Sequence, residues 1–163
     1  MVLEVKVSGL AFDPRVKSHV VLLKEVEGDR VLPIWIGANE AQAIARELAG
    51  QRFQRPLTHD LVATVVEGLE ARVTRVIISE LKENTFFANL VVERGTNVLS
   101  IDARPSDSIA IALRCKAPIF LSEELFDQQP QPEAAEQTEE DKAEELRRYL
   151  RDLDPEDFGK YNP

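Results

Sequence analysis

The sequence predicts an α+β fold: a largely antiparallel sheet with helices packed on one face, plus a C-terminal acidic tail helix. Two observations carry that expectation. Segments alternating with period two, each closed by turn residues, fill much of residues 1–127, and the regions between them switch to helical spacing. The resulting order, β-β-β-α-α-β-β-β-α-β, lacks the strict alternation of a doubly wound sheet.

The first strand is Leu3 to Gly9, where apolar and polar residues alternate as in a sheet with one covered face. Asp13-Pro14-Arg15 supplies turn chemistry, because proline presets φ and aspartate bonds nearby amides. Strands over 20–26 and 31–36 follow, and Pro33 marks an edge or a bulge. After Gly37 the residues Ala41, Ile44, Ala45 and Leu48 form one helical stripe, which Gly50 can end. The basic connection 51–56 leads to a second helix, with Thr58 as its N-cap and an apolar stripe of Leu61, Val62, Val65 and Leu69. Strands over 72–81, 86–92 and 98–103 come next. Pro105 suits the first turn of a third helix running to about Lys116, and Ile109, Ile111 and Leu113 around its circumference predict burial. Residues 118–121 read as a short last strand.

The 163 residues carry 29 acidic and 20 basic side chains, a net charge of −9, and 44% are hydrophobic, enough for a core. The excess acid is concentrated: residues 1–127 hold 18 acidic and 15 basic side chains, residues 128–163 hold 11 and 5. Three regions follow: a body over 1–127, a polar proline-punctuated linker over 128–138, and an acidic helical tail over 139–163 with Ala143, Leu146, Leu150 and Leu153 as its stripe. A near-neutral body argues against a tight nonspecific nucleic-acid coat, which relies on many phosphate contacts, but permits nucleic acid as a transient substrate. The lone Cys115, the charges in Met1-Val2-Leu3-Glu4-Val5-Lys6 and the absence of a run of about 18 apolar residues predict a cytoplasmic protein with no membrane partner. The strand edge near Pro33 and the surplus of Val, Ile and Leu predict a homo-oligomer.

No GxxxxGK[ST], GxGxxG or HExxH is present, so nucleotide cradles and zincin chemistry have no support. Cys115, on the apolar third helix, reads as an inert thiol. What remains is a set of polar residues at element ends. His59 and Asp60 open the second helix; Asp102 shares a strand face with Ser100; Arg104, Ser106 and Asp107 follow at the strand-to-helix junction. Carboxylates with a histidine suit Mg²⁺ or Mn²⁺, and such an ion activates water against a phosphodiester. Arg55 and Arg104 suit a phosphate clamp. The same residue types also serve helix starts alone, as caps and as charges against the dipole.

Three separated motifs resemble the bifunctional nuclease domain family. They are Leu32-Pro33-Ile34-Trp35-Ile36-Gly37 with Glu40-Ala41, then Arg55-Pro56-Leu57-Thr58-His59-Asp60-Leu61, then Ile101-Asp102-Ala103-Arg104-Pro105-Ser106-Asp107-Ser108-Ile109-Ala110. Pro118-Ile119-Phe120 closes the pattern, and the resemblance spans residues 1–127. It implies a nuclease acting on both DNA and RNA. On this expectation Asp60, Asp102 and Asp107 ligate a divalent ion, Mg or Mn. His59, Asp102 and Arg104 are catalytic, with His59 as general base or further ligand, and Arg55 and Arg104 hold the substrate phosphate. The alternative is a non-catalytic oligomeric binding or regulatory module, in which the motif residues cap helices and fasten loops.

Overall fold

The structure, a computed structural model, describes residues 1–128 and, beyond them, residues 144, 147, 148 and 150–152. In chain order its elements are β1 (Val2–Asp13), β2 (Ser18–Glu25), β3 (Val31–Ile36), α1 (Ala38–Leu48), α2 (Thr58–Gly68), β4 (Arg72–Lys82), β5 (Thr85–Arg94), β6 (Asn97–Ala103), α3 (Pro105–Cys115), β7 (Ile119–Ser122) and α4 (Glu123–Asp127). The seven strands form one sheet in the order β3-β2-β1-β7-β4-β5-β6. Tight turns make β1–β2, β2–β3, β4–β5 and β5–β6 antiparallel neighbours. β7 then returns through α3 to the middle of the sheet, where it runs antiparallel to β1 and parallel to β4. The fold is α+β, as the alternation pattern predicts.

Register breaks at Val7/Gly9 in β1 and at Val73/Arg75 and Ile78/Glu80 in β4 interrupt the two longest strands. Such bulges bend a strand and increase its twist. Val20, Val21, Leu22 and Leu23 are all buried, so β2 is covered on both faces. α1 packs on β2 and α3 on β4 and β5, and α3 lies against both α1 and α2. The helices therefore run α1-α3-α2, with α3 between the other two and α2 also touching β4. α3 buries Ile109, Ala110, Ile111 and Ala112, as its circumferential apolar pattern predicts. It ends where Lys116 turns left-handed at φ 51°.

Two expectations need correction, and one element was not foreseen. α4 was not legible: five residues with buried Leu125 and Phe126 are too short for a helical stripe. Thr58 is the first helical residue and not the N-cap; Leu57 occupies that position, and its N–H donates to Asp60 Oδ2 at 2.9 Å. Pro33 lies on an edge strand, as expected, with its side chain fully buried and Leu32 to Ile36 buried around it. Three of the four α2 stripe residues face solvent, Leu61 at 51%, Val65 at 50% and Leu69 at 56% exposed, and only Val62 of the stripe packs against the core.

Most of the linker and tail, including Ala143, Leu146 and Leu153, lies outside the described residues. Leu150 is helical and buried, and the Arg15 guanidinium donates to the carbonyls of Leu150 and Arg151. Arg15 is itself oriented by Asp13, whose other partner is the Trp35 indole at 3.2 Å. Among the described residues no helix is long and apolar enough to cross a membrane.

Candidate active site

The starts of α1, α2 and α3 meet on one side of the sheet, and each brings an acidic residue in its first turn: Glu40, Asp60 and Asp107. Negative charge there is favoured by the helix dipoles. Three acidic groups placed together also repel one another, and cations between them offset this. His59 Nε2 lies 2.8 Å from Asp107 Oδ1. Arg104 donates from Nε to Asp107 Oδ2 at 2.8 Å and from Nη2 to Glu40 Oε1 at 3.0 Å. Arg114 donates from Nε to Asp60 Oδ1 at 2.6 Å, and also to the carbonyls of Ala110 and Ala43. A continuous chain, Glu40–Arg104–Asp107–His59, therefore links all three helices.

These partners shift the carboxylates. The hydrogen bond from His59, reinforced by Arg104, holds Asp107 below the usual carboxylate range although burial acts the other way. The Leu57 N–H does the same for Asp60 against burial, with Arg114 adding to it. Asp107 and Glu40 in turn raise Arg104. A depressed carboxylate contributes stability that is present above the unfolded-state pKa, near 4, and is lost as pH falls through the lower folded value. Asp107→Asn is thus expected to be destabilised relative to the native protein at pH 7, with the gap closing below about pH 4. Denaturant melts at pH 7 and at pH 3 check this, and a gap that stays constant would contradict it.

The remaining sequence candidates sit elsewhere. Asp102 pairs with Asn89 across β5–β6, whereas its neighbour Ile101 pairs with Leu90. Leu90 is buried on the face where α3 packs on β5. Asp102 therefore points to the opposite face of the sheet from Asp107, because successive strand residues alternate. The expected cup of Asp60, Asp102 and Asp107 does not form; among the described residues no three His, Cys, Asp or Glu side chains are grouped to hold a metal ion. Both oxygens of Asp107 and both of Asp60 are already taken by nitrogen donors. Mg²⁺ and Mn²⁺ need free carboxylate oxygens, so these residues as arranged do not fit the expected ion. Arg55 is exposed, in the segment 51–56 that leads into α2.

Sequence reading missed two members of the network. Glu40 stood only among the motif residues, yet it reaches Arg104 from 64 residues away. Arg114 was passed over, although a single cation in an otherwise apolar helix is a usable signal, since arginine is rarely buried without a partner. Its side chain is only 6% exposed.

An α+β body in which a His–Asp–Arg group joins the starts of its helices defines the class. The model of the bifunctional nuclease domain matches residues 21–134, and the chain belongs to that family. It is 40% identical over 162 residues to the uncharacterized protein Rv1829 of Mycobacterium tuberculosis, covering 95% of this chain and 97% of that protein. It is 30% identical over 111 residues to bifunctional nuclease 1 of Oryza sativa subsp. indica, and 28% identical to bifunctional nuclease 2 of Arabidopsis thaliana over the same length. These two matches cover 66% of this chain but only 34% of each plant protein.

Proposed function

We propose that this protein is a nuclease that hydrolyses phosphodiester bonds of both DNA and RNA with little sequence preference, with His59, Asp107 and Arg104 as its reacting group. The observation that carries this reading is the 2.8 Å bond between His59 and Asp107 beside a half-exposed Arg104 guanidinium. With its Nε2–H donated to Asp107, neutral His59 keeps Nδ1 as an acceptor. That nitrogen takes a proton from water as the water oxygen forms its bond to phosphorus; the P–O bond to the leaving oxygen breaks, and the proton returns to that oxygen. Asp107 fixes the ring and stabilises the imidazolium. Arg104 lies against the charge that gathers on the phosphoryl oxygens. Arg55, on the approach to α2, holds a neighbouring phosphate, a contact that is indifferent to base identity. No step is routed through a metal. The lone Cys115, a free thiol that burial pushes up in pKa, supports a reducing cytoplasm as its place of action.

One observation favours the non-catalytic reading: each ion pair of the network also fastens one helix start to another. Cleavage of labelled DNA and RNA oligonucleotides by protein purified to homogeneity separates the two. Arg104→Ala is expected to slow both hydrolyses together by about 100-fold, the scale for loss of one transition-state donor. If wild-type protein cleaves neither, or the variant cleaves both at the wild-type rate, the nuclease reading fails at this site. Cleavage abolished by EDTA and restored by Mn²⁺ would replace it with a metal-dependent one at other residues.

A further inference from the structure

The connection from α1 to α2 carries charge opposite in sign to the rest of the body. Residues 46–58 contain Arg46, Arg52 and Arg55 against one acid, Glu47, while residues 1–127 together hold 18 acidic and 15 basic side chains. The Glu47 side chain is tucked inward at 14% exposure, and Arg52, which donates to it at 2.9 Å, stays 73% exposed. Positive charge therefore faces outward. Every residue from Gln51 to Pro56 is exposed, and among them stands the ring of Phe53, 52% exposed. The Arg46 guanidinium lies 5.4 Å from the centroid of that ring, a cation–π contact that orients the aromatic plane.

The segment is held at both ends. The Gln51 N–H donates to the Arg46 carbonyl at 3.0 Å and the Leu57 N–H to Asp60 at 2.9 Å. Pro56 adds a fixed φ, so a docking ligand has less chain to order. Alongside the Leu57 N–H and Arg114, the Arg52 charge helps to hold Asp60 low, and the cationic segment thus borders the start of α2. Between Phe53 and His59 the chain spans at most about 20 Å.

An aromatic ring set among arginines suits a partner that offers flat bases and regularly spaced phosphates. In a duplex the faces of each base are covered by its neighbours, so only an unpaired base can lie on the ring. We infer that Phe53, backed by Arg46, is a stacking platform that selects single-stranded nucleic acid, with the flanking phosphates on Arg52 and Arg55. This rests on the nuclease reading and names its substrate class: unpaired DNA or RNA, led across 51–56 towards His59. Stacking is tolerant of base identity, which fits cleavage with little sequence preference. The segment is far smaller than the roughly 20–30 residues a side of a protein interface. It is also neither helix nor strand, so it lacks the amphipathic helical face that lies on lipid.

Fluorescence anisotropy of the full chain with a labelled oligothymidylate of about 12 nucleotides, long enough for one such site, tests the inference. Phosphorothioate linkages keep the strand intact during the measurement. The single strand is expected to bind at least about 10-fold tighter than the same strand annealed to oligoadenylate, and Phe53→Ala to lose about 10-fold on the single strand alone. Phe53→Leu should behave like Phe53→Ala and Phe53→Trp like the wild type, because the π face and not apolar bulk binds the base. Arg55→Ala should lower the slope of log Kd against log salt by roughly 0.7. Melting curves of these variants should match the wild type, since both side chains are exposed. Single-strand binding that Phe53→Ala loses, with unmodified DNA and RNA left uncut by the wild type, supports the platform and overturns only the nuclease reading. Equal affinity for strand and duplex, Phe53→Ala binding like the wild type, or binding to anionic vesicles but to neither oligonucleotide overturns the platform.

Discussion

His59→Gln is expected to lower the rate of DNA and RNA cleavage by a factor of about 10²–10⁴, the contribution of a positioned general base. Glutamine is close in size and can still donate to Asp107, so α2 stays attached to α3 while the proton acceptor is lost. The fall should appear in kcat with KM little changed, because the imidazole acts on water and not on the phosphate. Asp107→Asn should fall by a similar amount through a different route: an amide there can present its N–H to the ring and favour the wrong tautomer. Single-turnover assays on both substrates, with melting curves alongside, check the pair. If His59→Gln melts like the wild type and cleaves like it, His59 has only a structural role.

Arg114→Leu is expected to cost about 3 kcal/mol of folding stability, the scale for removing one partner of a buried ion pair. Arg114 is nearly enclosed and binds one group on each helix: Asp60 at the start of α2, the Ala43 carbonyl of α1 and the Ala110 carbonyl of α3. Leucine fills much of the volume but leaves the Asp60 carboxylate facing an apolar side chain. For a body of this size the loss lowers Tm by roughly 10 °C. Asp60→Asn should cost less, since its amide oxygen can keep one of the two accepted bonds. Arg72→Leu is the control, because the Arg72–Glu93 pair is exposed and should matter by less than about 0.5 kcal/mol. Chemical denaturation of the three variants measures the ranking, and a loss below about 1 kcal/mol for Arg114→Leu would contradict this account.

Much of the sheet was legible because its signals are local. Alternation set the strands to within a few residues: β3 was read with its observed ends, and β1 was read too short, ending at Gly9 where a bulge breaks the alternation. Pro105 marked the start of α3 for a reason confined to that residue, its missing N–H. The motif residues His59, Arg104 and Asp107 were picked out, and they do meet. Asp102 was picked out with them, because adjacency in sequence to Arg104 says nothing about which side of the sheet a residue occupies. The facing of α2 was read wrongly for a related reason. Periodicity identifies a stripe but not the direction it looks, and the two ion pairs together with the inward Val62 and Val66 set this helix so that Leu61, Val65 and Leu69 are left outside.

By itself the sequence determined the α+β class, the order of nearly all elements, the family and a short list of reactive side chains, all of which depend on residues close together in the chain. Only the tertiary structure decided the partners. His59 and Asp107 are 48 residues apart, Asp60 and Arg114 are 54, and Glu40 and Arg104 are 64. Contacts over such separations exist because three helices pack in the order α1-α3-α2 on one curved sheet, and that packing is a property of the whole core that no local pattern encodes.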